Sequence, residues 1–258
     1  MIPLLYQTHL QENFSRAEYL FLTILINVLQ SIKKVNLEAL ATALPIPVLF
    51  QSRRKRLQRF LSLPNLTIER VWLPIVSIWL STYFSPDKII YVVIDRTAWG
   101  CINLFMISVV WDKRAFPVYF ELLPKLGSSN IDEQKLIISQ VLPLFKDYKV
   151  CLLGDREFCS IKLANWLREN NLSFCLRLKK NEFVEVEPEV WRELNGLGLS
   201  PGVALFLQGV KVTKQKGFKG FNLACKWRRK ILGVAPKEGW FIITNLETLK
   251  LALAKLLL

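Results

Sequence analysis

The chain has 258 residues, with 35 Lys plus Arg against 21 Asp plus Glu, a formal charge of +14 and a pI of about 9.7. That length can bury a full core, in one large domain or two smaller ones. The charge excess implies a polyanionic partner, nucleic acid first and an anionic membrane surface second.

The apolar stretches make poor membrane spans. Tyr19 to Val28 is interrupted by Thr23 and Asn27, and Val71 to Phe84 carries Pro74. Both fall short of the roughly 20 apolar residues a bilayer requires. The start lacks a basic region followed by an apolar core, so no signal peptide is expected. The expectation is a soluble cytoplasmic protein with no membrane partner. The five cysteines form no C-x-x-C pair, which argues against a zinc centre and fits a reducing compartment. The single histidine, His9, is expected near a mobile end, which largely excludes mechanisms built on a histidine base.

Residues 1–85 read as helical. Tyr19, Leu22, Ile26 and Leu29 follow helical spacing, and a second run, Leu37 to Leu44, stops at Pro45 and Pro47. Gln51 to Leu63 interleaves Arg53, Arg54, Lys55, Arg56 and Arg59 with Leu57, Phe60 and Leu61. Such a helix can lie against phosphates, or it can be an ordinary solvated face. Ser85-Pro86-Asp87 marks a domain boundary, giving a helical region expected to bind DNA, 1–85, and a second domain, 86–258.

The pattern then changes to strands. Ile89 to Asp95 and Val150 to Asp155 are continuously apolar runs, as in strands buried on both faces, and each ends on an aspartate. If the two are parallel neighbours, their carboxylates meet at one edge of the sheet, where open α/β sheets bind ligands. Facing carboxylates repel and are stable mainly with a bound cation or a shared proton. One reading is a divalent-metal site for phosphoryl chemistry. The other is that Asp at a strand end is a turn former. Without a histidine beside them, a metal-activated water or hydroxyl is the simple nucleophile at neutral pH.

Between these runs lie strand-like Ile102 to Trp111 and Phe116 to Leu122, joined by the turn Asp112-Lys113-Arg114. Asn130 with Glu133 forms a capping box that opens a helix, and Pro143 kinks or ends it. After Asp155 come a helix from about Ser160 to Glu169 and an alternating strand through Leu172, Phe174, Leu176 and Leu178. Three antiparallel-type strands, helix, strand, helix, strand is the order of a ribonuclease-H-like α/β fold with a mixed sheet.

Residues 181–240 interrupt this order as a β-rich insertion. Lys211 to Lys230 holds eight basic residues and no acidic one, with Phe218, Phe221 and Trp227 among them. This mixture suits nucleic acid, the charges on phosphates and the rings on bases. Lys226, Arg228, Arg229 and Lys230 are its densest part. The alternative is a hairpin whose aromatics pack inward. Trp240 to Thr244 reads as a last strand, and Asn245 as the cap of a helix through Leu249, Leu251 and Leu253.

Three segments in succession resemble the motifs of bacterial insertion-sequence transposases of the IS4 type: Asp95-Arg96-Thr97-Ala98-Trp99, Gly154-Asp155-Arg156-Glu157-Phe158 and Gly239 to Leu246. Leu123 to Gly127 and Asn222 to Trp227 add to the likeness, which covers roughly residues 55–250. The resemblance implies a ribonuclease-H-like fold with a β-rich insertion, and an Asp, Asp, Glu triad holding two Mg²⁺ or Mn²⁺ ions. Asp95 is then the first acid and Asp155 the second, both catalytic and metal-binding. It further implies double-stranded DNA as partner, both terminal inverted repeats and target. It also implies a homodimer on DNA and a nucleoid-associated bacterial protein.

Two departures qualify it. Glu157 stands where the family more often has Gly, and is taken as a local variation pointing away from the acids. No Tyr, Arg, Glu, Lys motif follows Asn245, and Glu247 comes too early to be the third acid. The expectation is a C-terminally truncated transposase, inactive alone. The alternative is a non-catalytic DNA-binding or inhibitory fragment. A metal-dependent nuclease such as a junction resolvase shares the fold, but leaves the tryptophan-bearing first motif and the basic insertion unexplained.

Overall fold

Serine, asparagine and proline decide where the first helices begin and end. Ser15 caps α2 (Arg16–Ile32) in a reciprocal box with Glu18: the Glu18 N–H donates to Ser15 Oγ, and the Ser15 N–H donates to the Glu18 carboxylate at 2.8 Å. Asn36 Oδ1 accepts from the Ala39 N–H at 2.7 Å and starts α3 (Leu37–Ala43), which stops before Pro45. These elements belong to a computed structural model that describes residues 2–125, 127–213, 218–227 and 239–248. The chain divides into two units, Met1–Phe84 and Ser85–Leu258.

The first unit also contains α1 (Leu4–Asn13), α4 (Phe50–Leu61) and α5 (Leu73–Tyr83), the last entered through a π turn at Ile68–Trp72. Phe21, Leu25 and Val28 are the buried residues of α2. Tyr19, Leu22, Ile26 and Leu29 flank them half-buried, so the stripe is wider than the sequence spacing indicates, and its centre lies on other residues. Phe60 of α4 packs its ring 5.0 Å from Phe21 and 6.0 Å from Phe14. His9 corrects an expectation. It sits within α1 with Nε2 3.1 Å from the Arg70 carbonyl oxygen, so a helix and a contact distant in sequence hold it rather than leaving it at a mobile end. Among the described residues no single helix is long and apolar enough to cross a membrane.

The second unit is built on a ten-stranded sheet. Its elements in chain order are β1 (Ile89–Trp99), β2 (Ile102–Trp111), β3 (Arg114–Leu123), α6 (Ile131–Val141), β4 (Lys149–Gly154), α7 (Ile161–Glu169), β5 (Ser173–Arg177), β6 (Phe183–Glu187), β7 (Val190–Glu193), β8 (Ala204–Val212), β9 (Phe218–Lys226) and β10 (Trp240–Thr244). The strand order is 3-2-1-4-5-10-9-8-6-7. β1 pairs with β4, and β4 with β5, in parallel; β1 with β2 and β2 with β3 are antiparallel. The first five strands therefore form a ribonuclease-H-like mixed sheet. The insertion does not form a separate layer, because β10 joins β5 antiparallel and β9, β8, β6 and β7 extend the same sheet.

Short polar signals set the connections. Asp112 and Lys113 both adopt positive φ, 46° and 61°, the geometry of a tight hairpin turn between β2 and β3. Asn130 and Glu133 form the capping box of α6, which ends at Val141 where Pro143 enters a 3-10 turn. Ser160 Oγ accepts from the Leu163 N–H at 3.0 Å and opens α7.

The two faces of the sheet differ. Ile90, Val92, Ile94, Leu152, Phe174 and Leu176 are buried on one face. On that side Arg168 of α7 lies 4.6 Å over the Phe221 ring, which meets Phe174 edge-on. The other face carries Cys151, Cys175, Ala224, Ile242 and Leu246, with Ile89, Tyr91, Leu153 and Phe206 only partly buried around them. Burial on this face pushes the Tyr91 phenol up to about 12, with Cys151 and Cys175 adding to the effect. The helix expected through Leu249, Leu251 and Leu253 lies outside the described residues.

Candidate active site and nucleic-acid interface

β1 and β4 run side by side until Ile94 pairs with Gly154, the last register partners between them. Each is followed by an aspartate, Asp95 and Asp155. Neighbouring strands lie about 4.8 Å apart, so this register sets the two carboxylates beside each other where the strands part. β1 does not end at Asp95 as its sequence indicates. It continues to Trp99 because β2 still pairs with it there, while β4 stops at Gly154.

Both aspartates are exposed, and both line one groove of about 370 Å³. Backbone amides orient them. Asp95 Oδ1 accepts from the Arg96 N–H at 2.8 Å, and Asp155 Oδ1 accepts from the Glu157 N–H at 2.9 Å. The second bond is an Asx turn, so the turn-former reading of Asp155 holds alongside any further role.

Val93, Leu153 and Ile242 give the groove an apolar floor, and Lys113, Arg114 and Arg177 bring positive charge to it. The Arg177 guanidinium lies 4.3 Å from the centroid of the Trp240 ring. Burial lowers the pKa of Arg177, and the neighbouring Arg156 charge lowers it further, while Asp155 opposes them. Sequence patterning does not find these cations. Lys113 and Arg114 read there as parts of a turn, and Arg177 as the polar half of an alternating strand. The signal is positional and tertiary: Arg177 ends β5 beside the strand end that carries Asp155, Lys113 and Arg114 belong to the β2–β3 turn, and only the fold places all three on one groove.

Glu157, read in the sequence as a local variation, has a partner: Arg96 makes a two-pronged ion pair with it.

The donor set fits the implied metal. Two exposed carboxylates offer hard oxygen ligands, each with one oxygen already fixed by a backbone amide, and Mg²⁺ is commonly held by one or two carboxylates plus substrate phosphates. Among the described residues no group of three or more His, Cys, Asp or Glu side chains could hold such an ion.

The basic residues of α4 fall into two sets. Arg53 donates to the Leu44 carbonyl at 3.1 Å, Arg54 to Glu38 Oε1 at 3.2 Å, and the Arg56 guanidinium stands 5.0 Å over the Phe21 ring. Lys55 and Arg59 are exposed. Lys226 is half-buried at the end of β9, and Arg228, Arg229 and Lys230 lie outside the described residues. Phe221 is fully buried, so its ring belongs to the core and cannot stack on a base.

No family model matches the chain, and no curated protein matches it. Among solved structures, it is similar to a piggyBac transposase synaptic complex with hairpin DNA, at 13% identity and a TM-score of 0.46, over 96% of this chain and 54% of that one. It is also similar to Marinitoga piezophila Argonaute in complex with 5′ OH guide RNA and target DNA, at 12% identity and a TM-score of 0.29, over 83% of this chain and 32% of that one. The same Argonaute with guide RNA matches at 10% identity, with a TM-score of 0.29 and the same coverage. The chain thus spans about half the length of the transposase and a third of the Argonaute.

Proposed function

We propose that this protein is a DNA-processing enzyme of the insertion-sequence transposase kind its motifs resemble, acting by metal-dependent strand cleavage and transfer at element ends. The observation that carries the reading is the pairing of Asp95 with Asp155 where β1 and β4 part, at the edge of a ribonuclease-H-like sheet. The net charge of +14 supports a polyanionic substrate. In this reading double-stranded DNA, as terminal inverted repeats and target, is bound by a homodimer.

Asp95 and Asp155 are the residues that would hold Mg²⁺ or Mn²⁺. When bound, such an ion makes a water or 3′-hydroxyl nucleophilic at neutral pH and offsets charge on the leaving oxygen. The chain's own residues do the rest. The Arg96 and Glu157 amides aim the carboxylates. Lys113, Arg114 and Arg177 draw a phosphate backbone towards the groove, while Val93, Leu153 and Ile242 keep its floor dry. Lys55 and Arg59, with Lys226 and Arg228 to Lys230, supply further cations for the phosphates.

One observation favours a second reading, a non-catalytic DNA-binding or inhibitory role: among the described residues no third acid gathers with the pair. Supercoiled plasmid incubated with the protein and Mn²⁺ separates the two. Nicking lost in both Asp95→Ala and Asp155→Ala supports the enzyme. Binding without nicking supports the inhibitor, and neither binding nor nicking overturns both.

A further inference from the structure

Two side chains that the proposed chemistry does not use tie the acid-bearing strand ends together. Arg96 follows Asp95 on β1, and Glu157 stands two residues beyond Asp155. Alternation along the strand sends Arg96 to the opposite side of the sheet from Asp95. There its Nε and Nη2 grip both oxygens of Glu157, the Nη2 bond being 2.7 Å, with the two side chains only 17% and 19% exposed. Two-pronged, partly buried pairs of this kind fix geometry as well as charge.

The third nitrogen, Nη1, donates to Asn103 Oδ1 at 2.7 Å. Asn103 is fully buried, and its amide donates to the Lys125 carbonyl at 2.8 Å and the Gly127 carbonyl at 2.6 Å. Lys125 pairs in turn with Glu133 at the start of α6, at 2.6 Å. The guanidinium is thus fastened on three sides.

The backbone of this pair is what makes it more than a structural contact. The amide of Arg96 holds Asp95, and the amide of Glu157 holds Asp155. A displacement of either strand end that pulls the two side chains apart therefore moves a donor that aims one of the carboxylates.

We propose that Arg96 and Glu157 are positioning residues, a clamp behind the acid pair that fixes the separation and direction of the Asp95 and Asp155 carboxylates for a divalent cation. The inference rests on the metal-holding reading of those two aspartates. Arg96 also cancels the charge of Glu157, so a third anion close to the pair does not add to their repulsion.

The test is calorimetric titration with Mn²⁺ alone on the whole chain, using wild type, Arg96→Gln, Glu157→Gln and the conservative Arg96→Lys. Supports behind metal ligands typically govern about 10–100-fold in affinity. Both glutamine variants are expected to weaken Mn²⁺ binding by about that factor while their circular dichroism stays native, and Arg96→Lys, which keeps the charge but not the two-pronged grip, should fall between them and wild type. Wild-type affinity in both glutamine variants overturns the clamp. If a glutamine variant fails to fold, Arg96→Lys decides: native spectra with weakened affinity support the clamp, and native spectra with wild-type affinity overturn it. A wild type that binds no Mn²⁺ overturns the metal reading itself. Hydrogen exchange of the Glu157 amide, measured without metal, then isolates the clamp: faster exchange in Arg96→Gln supports it, and an unchanged rate removes it.

Discussion

Gly154 and Leu176 are register partners on β4 and β5, and the leucine leans into the space that a side chain at 154 would occupy. A Cβ there would stand 2.9 Å from Leu176 Cδ2 and 3.1 Å from Phe158 Cβ. Gly154→Ala forces these neighbours apart in a closed core, and overpacking of this kind costs about 1–3 kcal/mol. Urea unfolding should show the loss. Because Asp155 is the next residue, Mn²⁺ affinity should fall with it. Unchanged unfolding would mean that the core yields at this point.

Removing either acid should have a different pattern. Asp95→Ala and Asp155→Ala are each expected to weaken Mn²⁺ binding, while the metal-free protein changes little in melting temperature, because the relief of carboxylate repulsion offsets the backbone hydrogen bond each side chain accepts. Calorimetric titration together with thermal melts checks both halves. Equal Mn²⁺ affinity in wild type and both variants would end the idea of a shared site.

How legible this site is in the sequence depends on the range of the interaction. β1 and β4 are readable because strands buried on both faces are continuously apolar, and the α6 cap because Asn130 and Glu133 lie three residues apart. The pairing of Arg96 with Glu157 spans 61 positions and depends on a register that no local pattern encodes. β6 and β7 escape for another reason: Glu185, Glu187 and Glu193 give them the composition of a polar loop, although they are paired strands. Phe221 misleads because a buried aromatic in a basic segment has the same composition as one that meets bases.

Splitting the basic residues of α4 by their partners gives a test on DNA. Replacing Lys55 and Arg59 with alanine should flatten the dependence of log K on log salt by up to about 0.9 for each phosphate left without its cation. Arg53→Ala removes the bond to the Leu44 carbonyl, so it should lower stability by about 1.5–3 kcal/mol and leave the slope alone. Fluorescence anisotropy over a salt series, with melts alongside, separates the two. Equal slopes in all variants would place the DNA surface elsewhere.

Alkali should loosen the second unit through Tyr91. Its phenol is held up to about 12 in the folded protein by burial, whereas an unfolded tyrosine ionises near its ordinary value of 10.0. The folded state then keeps a proton that the unfolded chain has lost. This contribution to stability is complete below pH 10 and disappears as pH rises towards 12. Tyr91→Phe should make the fall in unfolding free energy shallower between those limits, measured by denaturant titration at stepped pH. A curve of unchanged steepness would assign the loss to the thiols of Cys225 and Cys159, which burial also pushes up.

The position of β10 between β5 and β9 bears on how the molecule is made. β5 ends at Arg177, but the strand that covers its open side runs from Trp240 to Thr244. At synthesis rates of about 5–20 residues per second, that edge of the nascent chain stays bare for roughly 3–13 s before its partner leaves the ribosome. During that interval Phe174, Cys175 and Leu176 present unpaired backbone beside apolar side chains, a surface on which neighbouring nascent chains can pair. Slower translation lengthens this exposure. The yield of correctly assembled protein should therefore depend on elongation rate and chaperone supply more than on the stability of the finished sheet.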